Sequence, residues 1–319
     1  MTHLAPFEFR MFRKLEPLKL EGARVLVACS GGMDSVVLTY LLHRLAPRLK
    51  FELEVACVHH GESSDPELSR FRDRAVETVR ELTDRLGLQL HILRAPKENG
   101  ELVSESELRE FRHKVLRELA KERQCKWIAL AHHADDLLET RLIRLARGTG
   151  AQGIEAMSLA GKNGTLRPFL GEPRADLESY AKDVKLQWIE DPSNQDPAPL
   201  RNWIRLKWLP LLERKRPGSV RNLGASLERL AEAAAREKQG RVVPLLAATL
   251  DRKGFSELGI AEQKASLASL LLSLGTRDFT SGHIDEILKR FRSQKGRQKF
   301  TLLGLEWQCN ARQIEVRRQ

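Results

Sequence analysis

Short apolar runs alternate with longer amphipathic stretches along the first two-thirds of the chain. The runs at residues 24–29 and 53–58 have the length and composition of buried strands. The stretches at 34–45 and 67–86 carry apolar residues at helical spacing. Strands that alternate with covering helices are typical of parallel sheets. The pattern therefore predicts an α/β domain built on a doubly wound parallel sheet, in which ligands bind beyond the carboxyl ends of the strands.

The alternation continues and then changes character after residue 162. Further strands and helices are predicted at 88–93, 104–123, 127–131, 134–147 and 174–185. A Pro-rich loop follows at 191–199, and residues 213–219 have the composition of a linker. Later helices are predicted at 220–238, 261–274 and 283–292, with alternating segments after residue 299. We therefore expect two domains, the sheet domain at 1–215 and a smaller, mainly helical C-terminal domain at 216–319.

Charge and composition narrow the class of partner. The 319 residues carry a net charge of +11 with a pI near 9.7, so the molecule attracts polyanions, and nucleic acid is the first candidate. No stretch approaches the roughly 18 apolar residues that a membrane-spanning helix needs, which predicts a cytoplasmic protein without a membrane partner. The four cysteines form no CxxC pair, which favours reduced structural thiols over a metal site.

The strongest local signal is the string Ser30-Gly-Gly-Met-Asp-Ser35, which lies directly between a predicted strand and a predicted helix. Its two glycines allow the backbone to approach an anion closely, and its serine hydroxyls can donate hydrogen bonds to that anion. The helix N-terminus adds free N–H groups and partial positive charge. The string lacks the lysine of a Walker loop and the glycine spacing of a dinucleotide fingerprint. It predicts a phosphate-binding loop formed by Ser30, Gly31, Gly32, Met33, Asp34 and Ser35.

The same string resembles the Ser-Gly-Gly-x-Asp-Ser signature of the PP-loop ATP pyrophosphatases. That resemblance implies a doubly wound sheet of the PP-loop type and cleavage of ATP between its α and β phosphates. It also implies that an oxygen of the second substrate becomes adenylylated. Asp34 would then bind Mg²⁺, because a carboxylate beside a polyphosphate suits a hard cation.

Two strand ends carry histidines in blocks that resemble the same superfamily. Val58-His-His-Gly61 is similar to its adenosine-binding Val-x-His-Gly turn, which implicates Val58 and His60 in ATP binding. Ala131-His-His-Ala-Asp-Asp-Leu-Leu-Glu-Thr140 resembles the His-x-x-Asp-Asp…Glu-Thr segment of the branch that modifies tRNA cytidine by lysine addition or by thiolation. In that branch the second carboxylate, here Asp136, assists the metal or the substrate. From spacing alone, capping of a helix N-terminus explains the two aspartates equally well.

A predicted helix carries two arginines that can act together. Arg109 and Arg112 lie three residues apart on one helical face, so both can point at an anion. The block is similar to the Ala-Arg-x-x-Arg-Tyr helix of these enzymes, although Leu108 and His113 stand in place of the Ala and the Tyr. Surface arginines at this spacing are common, so only the resemblance makes them functional candidates.

The strings that narrow the family lie further along the chain. Glu190-Asp-Pro-Ser-Asn194 and Arg201-Asn-Trp-Ile-Arg205 resemble the Glu-Asp-Pro-Ser-Asn…Arg-Asn-x-x-Arg signature of the tRNA(Ile)-lysidine synthetases. Arg167-Pro-Phe-Leu170 is similar to their Arg-Pro-Leu-Leu string. The resemblance covers about residues 24–210. It implies a tRNA-modifying ligase that adenylylates the wobble cytidine of an isoleucine tRNA with ATP, and then joins free L-lysine to C2 of that base. It also implies that residues 1–215 form the catalytic domain and that residues 216–319 form an accessory tRNA-binding domain.

This resemblance assigns roles to particular residues and leaves two questions open. The implied catalytic residues are Asp34, Arg112, Asp136 and Arg205, of which Asp34 and Asp136 also bind Mg²⁺. Candidates for holding lysine or tRNA are His132, Asp135, Glu139, Arg201 and Asn202. The sequence does not rank the lysine-binding candidates, and it does not decide whether the protein is a homodimer.

Two alternatives use the same features differently. A tRNA cytidine thiolase would share the phosphate loop, but such enzymes need paired cysteines or an iron–sulfur cluster, and no CxxC pair occurs here. A basic RNA-binding module with a degenerate nucleotide fold would be expected to have lost the Ser-Gly-Gly-x-Asp-Ser string, which is intact. The ligase is therefore the favoured interpretation.

Overall fold

The chain divides into two compact units. A computed structural model describes residues 4–61, 63–95, 105–161, 163–238, 249–276, 279–293, 298–310 and 312–318. The first unit contains Met1–Glu139 and Met157–Lys215, and the second contains Thr140–Ala156 and Arg216–Gln319. The predicted boundary after residue 215 coincides with one of the points at which the chain passes between the units. The catalytic and tRNA-binding roles expected for the two domains stay a prediction.

The segment Thr140–Ala156 belongs to the second unit, which the sequence pattern did not indicate. Within that unit the buried Arg141 donates from Nε to the Ile154 carbonyl at 2.9 Å. Its Nη1 also pairs with Glu228 Oε2 at 2.5 Å. Arg141 and Glu228 are far apart in the sequence, so local composition carries no sign of this packing.

The first unit is built on a parallel sheet of five strands. These are β1 (Arg24–Ala28), β2 (Glu52–His59), β3 (Gln89–Arg94), β4 (Trp127–Ala129) and β5 (Thr165–Leu166). Their order in the sheet is β3-β2-β1-β4-β5, and every neighbouring pair is parallel. From β1 the chain adds β2 and β3 on one side of the sheet, and it then crosses over to add β4 and β5 on the other side. In such sheets ligands bind at this switch point, here between β1 and β4. The predicted fold class is confirmed, and the segments that follow β1 and β4 meet at the expected place.

Helices accompany these strands along the chain. They are α1 (Pro6–Leu15), α2 (Met33–Leu49), α3 (Pro66–Leu86), α4 (Glu105–Glu122), α5 (Ala134–Ala146), α6 (Arg174–Asp183), α7 (Leu200–Trp203) and α8 (Leu209–Lys215). The last residues of α5 belong to the second unit, and residue 104, the predicted start of α4, lies outside the described residues. α3 ends as predicted at Gly87, whose φ of 65° is the left-handed conformation that glycine adopts without strain.

Two apolar clusters explain why the central strand β1 is apolar after its first residue. On one face, Val36, Val37 and Leu41 of α2 are fully buried together with residues of α1 and α6. On the other face, Leu116 and Leu119 of α4 pack with residues of the central strands. A strand buried on both faces needs apolar side chains on both. α1 was not predicted from the sequence, yet its apolar side contributes to the first cluster.

The second unit combines helices with a small antiparallel sheet. Its further helices are α9 (Ser219–Lys238), α10 (Arg252–Glu257), α11 (Ile260–Ser273) and α12 (Ser281–Ser293). Its strands are β6 (Thr249–Asp251), β7 (Gln298–Leu302), β8 (Leu305–Cys309) and β9 (Gln313–Arg318), in the sheet order β6-β9-β8-β7. The alternating segments that the sequence shows after residue 299 form β7, β8 and β9 of this sheet. Trp307 is fully buried in the core of this unit, and its Nε1 donates to the Leu302 carbonyl at 3.3 Å.

The predicted linker at 213–219 is shorter in the structure. Residues 213–215 complete α8, and only 216–218 separate it from α9. Residues 200–215 are helical throughout, because a π-helical turn at Ile204–Trp208 joins α7 to α8. The predicted loop at 191–199 contains a short 3₁₀ turn that Asp191 caps by accepting from the Ser193 amide at 2.9 Å. No helix in the part of the chain that the structure describes is long and apolar enough to cross a membrane.

Candidate active site

The phosphate loop between β1 and α2 is closed by its own last serine. Ser35 Oγ accepts a hydrogen bond from the Ser30 amide at 3.0 Å and donates one to the Gly32 carbonyl at 2.9 Å. Ser35 and Met33 are buried, whereas Ser30 is exposed. The first amides of a helix have no partner inside that helix. Ser35 therefore shapes the loop, and its Oγ also lies 3.2 Å from the Ser30 hydroxyl. The amides that open α2 are the groups that the loop offers to an anion.

The two glycines of the loop are required for different reasons. Gly31 has a φ of +80°, and a Cβ there would lie 3.0 Å from the Ala75 carbonyl oxygen. Gly32 is the N-cap of α2 with a φ of −73°, and a Cβ there would meet Ser30 Oγ at 3.6 Å, an ordinary contact. The Gly31 carbonyl also accepts from the Ile189 amide at 3.0 Å. Contacts from α3 and from the segment before the 191–199 loop thus fix the path of the phosphate loop.

One histidine joins three carboxylates at the end of β4. His133 Nε2 lies 3.3 Å from Asp136 Oδ2 and 3.8 Å from Asp34 Oδ2, and its Nδ1 lies 3.5 Å from Asp135 Oδ2. The His133 amide donates to Asp136 Oδ2 at 3.1 Å, so Asp136 also caps α5. The histidine is buried, with 2% of its surface exposed. The structure therefore brings the predicted residues Asp34, Asp135 and Asp136 together around a side chain that was not in the predicted set.

Asp34 has the properties of a cation ligand. Burial raises the pKa of its carboxyl, and the nearby His133 and Arg174 oppose that rise. Its Oδ1 is buried without a hydrogen bond from any described residue, and Arg174 Nε lies 3.6 Å away. An oxygen of this kind beside a phosphate loop suits Mg²⁺, a hard cation that uses one or two carboxylates together with phosphate oxygens. Asp136 offers the second carboxylate.

A buried ion pair extends this group towards the π-helical turn. Arg205 binds Glu139 through Nε at 2.6 Å and through Nη2 at 2.9 Å, and its Nη2 also lies 3.2 Å from Asp136 Oδ1. Arg201 Nε lies 3.8 Å from the same glutamate. Glu139 is only 1% exposed, and burial raises its pKa while the hydrogen bonds from Arg205 oppose that rise. The π-helical turn, a feature frequent at functional sites, contains Arg205.

Two predicted histidines lie in a strongly basic environment. Burial lowers the pKa of His60 to about 4, and the charge of Arg112 adds to this effect. Burial also lowers the pKa of His132 to about 4, although Asp136 opposes it. Each ring has a buried Nδ1 for which the described residues provide no hydrogen bond. Both imidazoles are thus neutral at pH 7 and suited to an uncharged polar group. Val58, half-buried, packs with the apolar cluster under α4.

Asn202 has a different surrounding from the other predicted residues. Its Nδ2 donates to the Ser193 carbonyl at 3.0 Å and to the Asp196 carbonyl at 2.8 Å. These bonds hold the 191–199 loop against the start of the helical segment that carries Arg205. The contacts seen for Asn202 are therefore structural, and its predicted role in substrate binding stays a prediction.

Two residues of the site were missed by sequence reasoning. His133 lies beside the predicted His132 and was given no role, although its position just before two aspartates at a helix start was a usable signal. Arg174 opens α6, its Nε lies 3.6 Å from Asp34 Oδ1, and its amide donates to Asp135 Oδ2 at 3.0 Å. A positive charge in the first turn of a helix is unfavourable because of the helix dipole. The presence of Arg174 at the start of α6 was therefore a sequence signal for a functional role.

Comparison with known proteins identifies the family. Residues 7–212 match the ATP_bind_3 family, a PP-loop domain. Over 302 residues the chain is 41% identical to the tRNA(Ile)-lysidine synthase of Bdellovibrio bacteriovorus, a match that covers 93% of this chain and 92% of that protein. The chain belongs to the tRNA(Ile)-lysidine synthase family. As a member it is an ATP-dependent ligase of the PP-loop type, and the predicted family is confirmed.

Other tRNA(Ile)-lysidine synthases are longer than this chain. The relative from Aromatoleum aromaticum is 38% identical over 213 residues, which cover 66% of this chain but only 48% of that protein. The relative from Azoarcus sp. is 35% identical over 301 residues, which cover 64% of its length. The chain thus spans between about half and nine-tenths of the curated relatives it matches.

A solved structure supports the fold alone. The U34-tRNA thiolase NcsA from Methanococcus maripaludis, determined with its [4Fe-4S] cluster, superimposes with a TM-score of 0.57 at 21% sequence identity. The superposition covers 71% of this chain and 78% of the thiolase. At this identity the likeness carries the PP-loop sheet and does not carry the chemistry.

Proposed function

We propose that this protein ligates L-lysine to C2 of the wobble cytidine of an isoleucine tRNA, giving lysidine, AMP and pyrophosphate. The observation that carries the proposal is one continuous line of contacts. It begins at Asp34 beside the phosphate loop, passes through His133 and Asp136, and ends at Arg205 and Glu139. Such a site can hold ATP and a second substrate side by side. The 41% identity to a tRNA(Ile)-lysidine synthase supports the choice of substrates.

The first step of the proposed reaction is adenylylation of the base. The cytidine O2 attacks the α-phosphorus of ATP, a new O–P bond forms, and pyrophosphate leaves with the electron pair of the bond that breaks. Negative charge on the phosphoryl oxygens is stabilised by the loop amides and by the guanidinium groups of Arg112 and Arg205. Asp34 and Asp136 would hold Mg²⁺, which neutralises phosphate charge when it is bound.

The second step replaces AMP by lysine. The lysine amine attacks C2 of the adenylylated base, a C–N bond forms, and AMP leaves with the electrons of the C2–O2 bond. The remaining polar groups of lysine need charged partners. Asp135 and Glu139 are the candidates for its ammonium, and Arg201 is the candidate for its carboxylate, because these charges lie at or beside the line of contacts. The neutral rings of His60 and His132 suit uncharged groups of the two nucleotides.

The rest of the proposal concerns the tRNA. A protein of net charge +11 attracts the phosphate backbone, and we assign part of that binding to the second unit. Anticodon-loop bases are unpaired and can be splayed out into a protein pocket. We place the enzyme in the cytoplasm with its tRNA substrate.

The decisive experiment follows lysine into RNA. Purified protein, Mg²⁺, ATP and labelled L-lysine are incubated with an isoleucine tRNA that bears a wobble cytidine, and the digested nucleosides are weighed by mass spectrometry. We expect a cytidine heavier by lysine minus water, with AMP and pyrophosphate as the other products. The label should be absent when the wobble base is uridine. ATP hydrolysis without lysine incorporation would contradict the proposal.

A pair of variants connects this activity to the site. Asp34→Asn keeps the shape of the side chain but removes the charge beside the phosphate loop, so we expect activity to fall by about 100-fold or more while tRNA affinity is kept. Glu21→Gln is the control, because Glu21 is an exposed carboxylate before the amino end of β1 that pairs with Lys50 at 2.7 Å, whereas the phosphate loop follows the carboxyl end of that strand. If both variants lost activity to the same extent, the loss could not be attributed to the charge of Asp34.

The thiolase alternative is tested in the same reaction by adding a sulfur donor. Cys29 and Cys57 are buried, and burial raises the pKa of both thiols, Cys57 to about 12, which disfavours a reactive thiolate. We therefore expect no thiolated cytidine. Its appearance would replace the proposed function by the alternative.

A further inference from the structure

The helical segment at 200–215 carries an exposed row of apolar and basic side chains. Leu200, Trp203, Lys207, Leu211 and Arg214 follow one another at spacings of three and four residues, which places them on one side of the segment. All five are exposed, with values of 47% for Leu200, 46% for Trp203 and 50% for Leu211. We name these five residues the outer stripe.

The outer stripe lies behind the candidate active site. Arg201 and Arg205, on the same segment, face Glu139. Successive residues of a helix are turned by about 100°, so Trp203 projects to the side opposite Arg201. A helix with its side chains is about 10–12 Å thick. The side chain of Trp203 is therefore about one helix diameter from the buried Glu139. It is too far to contact a substrate bound at Glu139, but it is close enough to contact other nucleotides of the RNA loop that brings the cytidine to the site.

The composition of the outer stripe distinguishes it from ordinary surface residues. Single exposed apolar side chains are common and need no explanation. Here an indole and two leucines alternate with two cations, and the adjoining residues 192–199 are exposed as well. Proteins that bind single-stranded nucleic acid combine aromatic side chains, on which bases stack, with positive charge that follows the backbone.

We propose that the outer stripe binds the anticodon loop of the tRNA, with Trp203 stacking on an unpaired base next to the modified cytidine. Lys207 and Arg214 contact the phosphates on either side of that base. The occupant follows from the charge of the stripe and from its position on the segment that carries Arg205. This inference rests on the proposed function for the identity of the RNA, and Trp203 acts as a positioning residue that does not touch the reacting atoms.

The test compares three variants in tRNA binding and in steady-state kinetics. Removing an aromatic side chain on which a base stacks weakens binding by about 5- to 150-fold, so Trp203→Ala should raise the Kd and the KM for tRNA by that factor. Trp203→Phe keeps an aromatic face and should stay within about three-fold of wild type. Phe9→Ala removes an aromatic residue of α1 that is 56% exposed but outside the stripe, and tRNA affinity should not change. In all three variants, kcat at saturating tRNA should equal that of the wild type.

Salt dependence separates stacking from charge. Trp203→Ala should leave the slope of log Kd against log salt unchanged, whereas Lys207→Gln should reduce it by about one ion. Tryptophan fluorescence gives a direct readout, because a stacked base quenches indole emission. The tRNA-induced quenching of the wild type should be larger than that of Trp203→Phe.

The results distinguish this inference from the proposed function. If Trp203→Ala binds tRNA within two-fold of wild type and quenching is unaltered, the inference is wrong, even where the wild type incorporates lysine. If Trp203→Ala changes the oligomeric state without changing tRNA affinity, the stripe is a contact between copies of the chain and the inference is again wrong. Failure of the wild type to incorporate lysine, with tRNA binding that depends on Trp203, would instead overturn the proposed function.

Discussion

Replacing Gly31 or Gly32 of the phosphate loop by alanine tests how backbone conformation and steric contact each constrain the loop. Gly31→Ala places a side chain at a φ of +80°, which costs a non-glycine residue about 1–2 kcal/mol. The new Cβ would also lie 3.0 Å from the Ala75 carbonyl oxygen, and overpacking against a backbone atom adds about 1–3 kcal/mol. The smaller entropy of the unfolded alanine chain offsets about 0.4–1 kcal/mol. We expect Gly31→Ala to lower the free energy of unfolding by about 1–5 kcal/mol.

Two matched variants divide this cost into its parts. Gly22→Ala has a φ of +70° with nothing within 4 Å of its Cβ, so it carries the backbone strain alone and should cost about 1 kcal/mol. Gly32→Ala has an ordinary φ of −73° and a contact at 3.6 Å, and should change the free energy of unfolding by about 0.5 kcal/mol or less.

Urea denaturation followed by circular dichroism measures the three values, and isothermal calorimetry measures the affinity for ATP. Gly31→Ala should be the least stable variant and should lose ATP binding, because the loop must move away from Ala75. Gly32→Ala should stay folded, so any loss of ATP affinity there reports the approach of the phosphates to the backbone. If Gly31→Ala is no less stable than Gly22→Ala, the contact with Ala75 does not constrain the loop and the reasoning is refuted.

Two other predictions concern buried charge and pH. Arg205→Ala leaves the buried Glu139 without its bidentate partner and should lower the free energy of unfolding by about 3–5 kcal/mol in urea titrations. Adding Glu139→Gln should recover part of that loss, and an additive double variant would show that the pair is not coupled. The pKa of His60 is about 4 in the folded protein and 6.5 in the unfolded chain. Between pH 6.5 and pH 4, unfolding is therefore accompanied by protonation of His60. Stability should therefore fall as the pH drops from 6.5 to 4, and His60→Asn should flatten this part of the profile of Tm against pH, whereas an unchanged profile would assign the acid sensitivity to other groups.

The sequence by itself determined the features that depend on residues close together in the chain. The string from Ser30 to Ser35 predicted a phosphate-binding loop, because glycines, hydroxyls and a helix start within six residues define a backbone that can hold an anion. The alternation of buried strands and amphipathic helices predicted the parallel sheet, since each element shows its buried side in its own periodicity. The family followed from strings that no generic α/β fold requires.

The tertiary structure alone decided how distant residues meet. Asp34 and His133 are neighbours because β1 lies beside β4, and sheet order cannot be read from either segment separately. The pairing of Arg205 with Glu139 joins residues 66 positions apart. The assignment of the segment after Glu139 to the second unit depends on a partner on α9. Contacts of this kind are set by the packing of whole elements against one another, and the local sequence pattern specifies only which side of each element is buried.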